Sequence, residues 1–405
     1  MLETQLYFDF RDMFRAPRLA LGRRMLVMLE ALLVSYAFFV SLTYIALLID
    51  GYSFGSIWND LHLFPAPFVF LAQGFLAKSV EALAYVIAFI SIWLGFTAVA
   101  KITIKEYKGD LFYSSKDGWK WALDNWFPVF FGPIGIAIVL AFFVIMAALL
   151  GWLAQWPVLD ILFYGMLFII FLPTALFLAV SALALAVGAY MSPSIVACAE
   201  EDTMGSMFGS YTLMWNQPVR LILYTAMVLV LAVIGYHAFY FFILSAFKLL
   251  EMVFGHDAVM GDTFVTIRQV GLDLFAKFNF LPSYLQFPVC LTGAVSGCGG
   301  GCHGCAGAAV IAPTLTQAIS GVLVGIISLL SYLAIPAYAL ATLGTGFATS
   351  FIVLTKHKDD QDLIKRKDAD ERAAAEAEEA ETAEEESATS DPTDAGNSED
   401  AKSDE

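Results

Sequence analysis

The residues best suited to chemistry lie in one glycine-rich stretch: Cys290, Cys298, Cys302, His303 and Cys305. Thiolates and an imidazole are ligands that zinc prefers, so Cys298, Cys302, His303 and Cys305 are candidate metal ligands. In an oxidising compartment, Cys290, Cys298, Cys302 and Cys305 would first pair with one another as disulfides. Unpaired thiols are the third alternative, and the residues alone leave all three open.

The spacing of this cysteine stretch excludes two common sites. A c-type haem site needs a histidine directly after the second cysteine of a Cys-x-x-Cys motif, whereas Ala306 follows Cys305. A zinc ribbon needs paired Cys-x-x-Cys motifs, and Cys290 lies too far from Cys298 to supply one. The stretch therefore predicts neither haem attachment nor a zinc ribbon.

Three charged residues lie in or beside apolar segments, where a charge often marks a transport pathway. Glu30 lies near one end of the first segment, so we expect it to reach the headgroup region or to pair with a neighbouring arginine. Lys78 and Glu81 are one helical turn apart at the start of the second segment, and we expect them to neutralise each other. A structural role is therefore favoured over transport for all three.

The motifs of membrane enzymes do not occur in this sequence. We find neither the histidine pairs of zinc proteases, nor Gly-x-Ser-x-Gly, nor clustered aspartates for metal-phosphate chemistry. Glu200, Glu201 and Asp202 could offer carboxylates to a cation, but Asp202 or Thr203 is better placed to cap a following helix. We predict no catalytic residue, and no cofactor apart from a metal at the cysteines.

The elements that must position these residues are membrane helices. The chain is 59% hydrophobic and only 15% charged, whereas about a quarter of the residues are charged in soluble domains. An apolar helix of ~20 residues crosses a hydrocarbon core and satisfies its own backbone groups. Six segments are long enough: 25–48, 80–99, 129–153, 161–190, 221–244 and 322–354. We therefore predict an all-α polytopic membrane helical bundle of about six transmembrane helices over residues 1–355.

The last of these segments is ambiguous because apolar residues extend over 308–354. Pro336 could kink a single helix or divide the segment into two spans. Two spans would carry the basic run from Lys365 to Lys367 to the side opposite the other basic residues. We therefore predict one long helix.

Basic residues indicate how the chain crosses the membrane. They are concentrated before the first span, between the second and third, at the start of the fifth and after the last. The positive-inside rule places these segments in the cytoplasm, and an even number of spans agrees. We predict a bacterial-type inner membrane protein with both termini in the cytoplasm and an extracytoplasmic loop, 248–307, that carries the cysteines.

Short amphipathic segments precede the odd-numbered spans and end in Pro17, Pro128 and Pro218. Their apolar faces are Tyr7, Phe10 and Phe14; Trp119, Ala122, Leu123, Trp126 and Phe127; and Met204, Met207, Phe208, Tyr211 and Trp215. Such faces are typical of helices in the membrane interface, although any short loop beside a membrane tends to be amphipathic. We interpret the pattern as three parallel repeats, each an interfacial helix followed by a helical hairpin.

The C-terminal segment 356–405 differs in composition from the rest of the chain. It contains 19 acidic and 7 basic residues, so most of the net charge of −16 belongs to it. Beyond residue 368 it has almost no aliphatic and no aromatic side chains, so burial cannot offset the entropy of ordering. We predict a disordered acidic cytoplasmic tail, either a solvated tether or a ligand for a basic partner.

The region between the fourth and fifth spans contains Pro193-Ser-Ile-Val196, Glu200-Glu-Asp202, Met207-Phe208, Trp215 and Pro218. This pattern resembles multi-pass bacterial proteins of the glycerophosphodiester-phosphodiesterase membrane-domain group and their uncharacterised six-span relatives. The resemblance covers about residues 8–355. The resemblance implies a helical membrane body with interfacial helices and no settled activity. The phosphodiesterase barrel and its His-Arg-Gly motif are not in this sequence, so no catalytic residue carries over.

These observations favour a non-enzymatic membrane scaffold or assembly partner. The alternatives are a small-solute or lipid transporter and a metal- or redox-linked membrane protein that uses the cysteine stretch. The expected partners are the lipid bilayer and either another membrane protein or a second copy of this chain. We expect no nucleic-acid partner.

Overall fold

The computed structural model describes residues 6–61, 71–156, 166–273, 313–359 and 362–368. These residues form helices and turns, and no strand occurs among them. A 3-10 helix, Phe10–Arg15, comes first. The α-helices are α1 Ala16–Ala20, α2 Arg23–Ile49, α3 Phe54–Leu61, α4 Phe75–Tyr107, α5 Ser115–Asp124, α6 Trp126–Leu153, α7 Phe168–Ala199, α8 Thr203–Asn216, α9 Pro218–Phe254, α10 Asp262–Asp273 and α11 Leu315–Asp359.

Six of these helices, α2, α4, α6, α7, α9 and α11, are long and apolar enough to cross a membrane. The predicted all-α polytopic bundle is therefore confirmed. α11 continues through Pro336 as one helix of 45 residues, as expected for the last apolar segment. At 1.5 Å per residue it is about 67 Å long, which is more than twice a hydrocarbon core of ~30 Å. Part of α11 must therefore extend beyond the apolar layer.

Four helices form the centre of the bundle: α11 packs against α2, α4 and α7, and α4 also packs against α2 and α7. α9 covers another side of α11, and α6 packs on α7 and α8. Small residues allow these close approaches. A Cβ at Gly95 of α4, for example, would lie 2.8 Å from the Cβ of Ala31 in α2.

The helices are packed unevenly along their length. α2 and α4 bury side chains throughout, but the buried residues of α6 end at Ile136 and those of α9 at Gly235. In α7 they begin only at Ser181. We call this the packed end: the end of the bundle at which α2, α6 and α9 begin and α4, α7 and α11 finish. The far halves of α6, α7 and α9 expose their apolar side chains.

The short helices differ in detail from the predicted interfacial segments. The first is a 3-10 helix followed by α1, and Pro17 lies in the first turn of α1 rather than ending a helix. Proline is tolerated there because the first N–H groups of a helix have no intrahelical acceptor. Trp126 and Phe127 belong to α6, not to the segment before it, since α5 ends at Asp124. The three-fold repeat itself stays a prediction.

The described structure continues past residue 355. α11 runs to Asp359, and residues 362–368, which we call the strap, return to the packed end. Leu363 of the strap is 2% exposed and belongs to the same buried cluster as Met13 and Leu354. The first described residues therefore meet the last ones at the same end of the bundle. Residues 369–405 lie outside the described residues.

Candidate functional site

The most concentrated polar feature is a row of three lysines at the end of α4. Lys101, Lys105 and Lys108 follow one another at helical spacing, so their side chains share a face. All three ammonium groups are paired with carboxylates at the packed end. Their positive charges also suit the last turns of a helix, because the C-terminal end of the helix dipole attracts cations.

Lys101 is completely buried between three helices. Its Nζ lies 2.5 Å from Oε1 of Glu200, the residue that ends α7 in the left-handed conformation with φ 53°. The same ammonium group lies 4.5 Å from the centroid of the Trp121 ring in α5. Both partners compensate the loss of hydration of the charge. Lys101 therefore connects α4 to α7 and α5.

Lys105 and Lys108 meet at Asp368, the last described residue of the strap. Lys105 Nζ lies 2.6 Å from Asp368 Oδ2, and Lys108 Nζ donates to Oδ1. Lys108 also donates to the carbonyl oxygen of Arg366 at 2.5 Å. Burial alone would raise the pKa of the Asp368 carboxyl, but the hydrogen bonds from the two lysines outweigh it and hold the pKa below its ordinary value. Asp368 is therefore charged at neutral pH.

A second buried pair lies on the side of α4 that faces α2. Arg24 is 3% exposed, and its Nη2 lies 2.9 Å from Oε2 of Glu106. Its Nε donates to Oγ1 of Thr103 at 2.9 Å. The hydroxyl of Tyr107 shares a hydrogen bond of 3.0 Å with Oγ1 of Thr349 in α11. These contacts bind the end of α4 to α2 and α11 through polar groups.

The structure also shows the partners of the predicted charged residues. Glu30 is exposed, and its Oε2 accepts a hydrogen bond of 2.8 Å from Nε1 of Trp119, so its partner among the described residues is an indole and not an arginine. α5 packs beside both α2 and α4, which brings this indole N–H within reach. Asp202 caps α8 as expected, accepting from the N–H of Gly205 at 2.7 Å.

Lys78 and Glu81 do not neutralise each other. Glu81 is 1% exposed and accepts from the backbone N–H of Leu71 and Ala72, at 2.9 to 3.1 Å, while Lys78 is exposed. The amide groups that precede α4 have no helical acceptor, so the buried carboxylate reaches back to them. The sequence analysis missed Asp50, whose carboxylate oxygens accept hydrogen bonds from the backbone N–H groups of Gln73 and Gly74 at 2.5 and 2.8 Å. The only signal was an acidic residue at the end of an apolar span.

The cysteine stretch cannot be compared with these sites. Cys290, Cys298, Cys302, His303 and Cys305 lie outside the described residues. Whether they form disulfides or a metal site stays a prediction. Within the described ranges, no group of three or more His, Cys, Asp or Glu residues could hold a metal ion. Cys198, at the end of α7, is free and buried.

Two cavities bear on transport. One, of about 40 Å³, lies between α4, α7 and α11 and is lined mainly by Trp93, Phe96, Tyr190 and Phe347. The other is an open groove of about 500 Å³ between α7 and α8, lined by Leu176, Phe177, Val180, Tyr211, Thr212, Trp215 and Asn216. The smaller cavity is large enough for about one water molecule, and the groove between α7 and α8 is more open.

The fold and the site together define a class of protein. The chain is an all-helical, multi-pass membrane protein whose packed end is closed by buried ion pairs. No protein-family model, curated protein or solved structure matches this chain. Its function must therefore be argued from its own geometry.

Proposed function

We propose that this chain is a non-enzymatic membrane scaffold or assembly partner. The observation that carries the proposal is the contrast between the two ends of the bundle. The packed end is held together by charges that are paired within the chain. The far halves of α6, α7 and α9 have exposed apolar faces, which the described residues do not cover. A rigid base with free helix faces suits a protein that organises other membrane helices.

The centre of the bundle supports this proposal over transport. A solute pathway requires polar groups and space between the central helices. Between α4, α7 and α11 the cavity is about 40 Å³ and has an aromatic lining. The buried charges Arg24, Lys101 and Lys105 have carboxylate partners, so they need no substrate to neutralise them.

The hairpin formed by α6 and α7 is the best candidate for a contact with another protein. Beyond Ile136 no residue of α6 is buried, although Phe143 contacts Phe177 of α7 with ring centroids 5.8 Å apart. Phe142 and Ile145 are 59% and 58% exposed. Lipid can cover such a face, but close packing with another helix gains van der Waals contact that mobile acyl chains do not.

The orientation is part of the same proposal. Exposed basic residues, including Arg11, Arg18, Lys116 and Lys120, flank the packed end, and both described ends of the chain lie there. By the positive-inside rule we propose that the packed end faces the cytoplasm. We propose also that the chain lies in a bacterial-type inner membrane. The acidic segment after residue 368 would extend from this end. The resemblance to the glycerophosphodiester-phosphodiesterase membrane domains is likewise a proposal.

Site-specific photo-cross-linking tests the scaffold directly. A photoreactive amino acid in place of Phe142 or Ile145 should give discrete protein adducts in native membranes, because another helix covers this face. Phe38, which is 49% exposed on α2, is the matched control. Mass spectrometry identifies each adduct as a second copy of the chain or as another membrane protein. Lipid adducts alone at Phe142 and Ile145, as at the control, would contradict the scaffold.

A lipid transporter is the second candidate because of the groove between α7 and α8. The groove is lined mainly by apolar and aromatic side chains, which suits an acyl chain better than a polar solute. A photoreactive group at Trp215 together with a lipid-exchange assay between vesicles tests it. Exchange that stops on substitution of Val180 by Trp would favour transport. The metal- or redox-linked alternative depends on the cysteine stretch alone.

A further inference from the structure

The segment before the first long helix presents two rows of side chains. It forms one continuous helical stretch, because the 3-10 helix Phe10–Arg15 runs directly into α1. Residues three apart lie above one another in a 3-10 helix, and residues three or four apart share a face in an α-helix. One row is fully buried: Asp12, Met13, Ala16 and Ala20. The other, which we call the outer row, is exposed: Arg11, Phe14, Arg18 and Leu21.

Contacts with α11 fix the orientation of this segment. The hydroxyl of Ser350 donates to Sδ of Met13 at 3.0 Å. The hydroxyl of Tyr338 donates to the carbonyl oxygen of Pro17 at 2.9 Å. Met13 also belongs to the buried cluster that contains Leu354. The outer row is therefore held in place on the outside of the bundle, so a ligand that binds there does not have to order it.

Two of the three arginines in this segment belong to the outer row. The third, Arg15, contacts its own chain: its Nε lies 3.6 Å from Oδ1 of Asp12, and its guanidinium group lies 5.1 Å from the centroid of the Tyr7 ring. Arg11 and Arg18 are exposed, and neither forms an ion pair with a carboxylate of the described residues. A guanidinium group can donate two parallel hydrogen bonds to a phosphate. The outer row thus offers two such groups to a ligand outside the chain.

The apolar members of the outer row indicate which ligand fits it. Phe14 and Leu21 are 59% and 51% exposed, although they alternate with the two arginines. A helix face turned only to water is typically polar. At a membrane surface, guanidinium groups reach the headgroup phosphates while apolar side chains enter the acyl boundary. Leu21 also lies two residues before α2, the first helix that is long enough to cross a membrane.

The chain's own acidic segment, 369–405, is the competing occupant of this surface. It has carboxylates for Arg11 and Arg18, but it contains no aromatic residue and no Val, Leu, Ile or Met. It would therefore leave Phe14 and Leu21 without apolar contact. A phospholipid supplies both the anion and the apolar layer, so the outer row fits a membrane surface better.

We infer that the outer row is a docking surface for anionic phospholipid headgroups of the surrounding membrane. Clusters of basic residues beside a membrane helix attract anionic lipids. Because the buried row of the same segment packs on α11, bound lipid also holds this segment against the packed end. Anionic lipid therefore stabilises the fold. This lipid partner is additional to the scaffold and does not depend on it.

Photolabelling with two matched lipids tests the inference on the full-length protein. The protein is held in phosphatidylcholine nanodiscs that contain a trace of either phosphatidylglycerol or phosphatidylcholine with the same photoreactive headgroup tag. Peptide mass spectrometry then measures adducts within residues 7–21. We expect the anionic probe to label this segment several-fold more than the zwitterionic probe, and the excess to fall as salt is added, because salt screens exposed charges.

Variants separate lipid binding from loss of structure. R11Q/R18Q should reduce labelling by the anionic probe several-fold, and F14Q/L21Q, which keeps both charges, should reduce it too. K78Q/K248Q removes the same charge from exposed residues at the opposite end of the bundle, so it is the matched control and should label as the wild type.

Thermal unfolding provides a second readout. In phosphatidylcholine nanodiscs R11Q/R18Q should have the thermal midpoint of the wild type, because neither arginine has an ion-pair partner among the described residues. Adding phosphatidylglycerol should raise the midpoint of the wild type and of K78Q/K248Q, but not that of R11Q/R18Q. Equal labelling by the two probes would overturn the inference. So would labelling that is unchanged in R11Q/R18Q or in F14Q/L21Q, or a wild-type segment without adducts, as expected if the acidic segment covers it.

Discussion

The Lys101 side chain is fully buried, and Glu200 and the Trp121 ring lie against its ammonium group. Withdrawing two charges from water costs nearly as much as their attraction returns. Such a pair therefore adds little net stability, but loss of one partner leaves the other charge buried and unpaired. The same reasoning applies to Arg24 and Glu106, which lie on the other side of α4.

The first prediction concerns the ion pair of Lys101 and Glu200. E200Q should lower the free energy of unfolding by about 3–5 kcal/mol, because Lys101 has no access to water. K101M should cost less, since the Glu200 side chain is 13% exposed and keeps part of its hydration. The double variant K101M/E200Q should cost less than the sum of the two. Denaturant unfolding in detergent measures this cycle, and additive costs would show that the pair is not coupled.

The second prediction is a pH dependence at Asp368. Its folded pKa lies below the ordinary value of 3.8, so its ion pairs stabilise the fold above that pH and are lost as the pH falls through the folded pKa. D368N should therefore lower stability by about 1–3 kcal/mol at pH 7. The difference from the wild type should shrink below about pH 4. A difference that is constant down to pH 3 would contradict the assignment, and D362N serves as the control.

At the scale of elements, the helices are longer than their apolar segments. The apolar pattern of the second span ends at residue 99, whereas α4 continues to Tyr107. The apolar pattern of a sequence marks only the part of a helix that lies in the hydrocarbon layer. The helix can continue beyond this layer when other helices pack against it. The extra turns carry Lys101 and Lys105, and Lys108 follows directly after the helix. Their spacing was visible in the sequence, but we counted them only among the basic residues between the second and third spans, as evidence of orientation.

The third prediction concerns the contact between α6 and α8. A Cβ at Gly132 would lie 2.5 Å from Oγ of Ser206, so G132L should separate the two helices and cost about 1–3 kcal/mol. Gly151 lies on the same helix and meets no described atom within 4 Å. G151L is therefore the control and should leave the thermal midpoint unchanged. Equal effects of both substitutions would mean that α8 does not pack on α6.

At the scale of the whole molecule, the number of long helices followed from the apolar segments, because a continuous segment of ~20 apolar residues satisfies its backbone groups in a bilayer as a helix. The uneven packing did not follow, since hydropathy cannot tell a helix face covered by protein from one covered by lipid. The apolar residues of α6 have the same character before and after Ile136. The strap was also hidden, because Leu363 and Ile364 are only two apolar residues within a charged segment.

The central claim is that this bundle crosses the membrane six times with its packed, charge-paired end in the cytoplasm. Paired fusions to a phosphatase that is active only outside and to a fluorescent protein that folds only inside measure this directly in a bacterial host. Fusions after Lys108, Glu201 and Glu405 should fluoresce, and those after Gly51 and Gly255 should show phosphatase activity. Phosphatase activity after Lys108 or Glu201 would place the packed end outside and contradict the account.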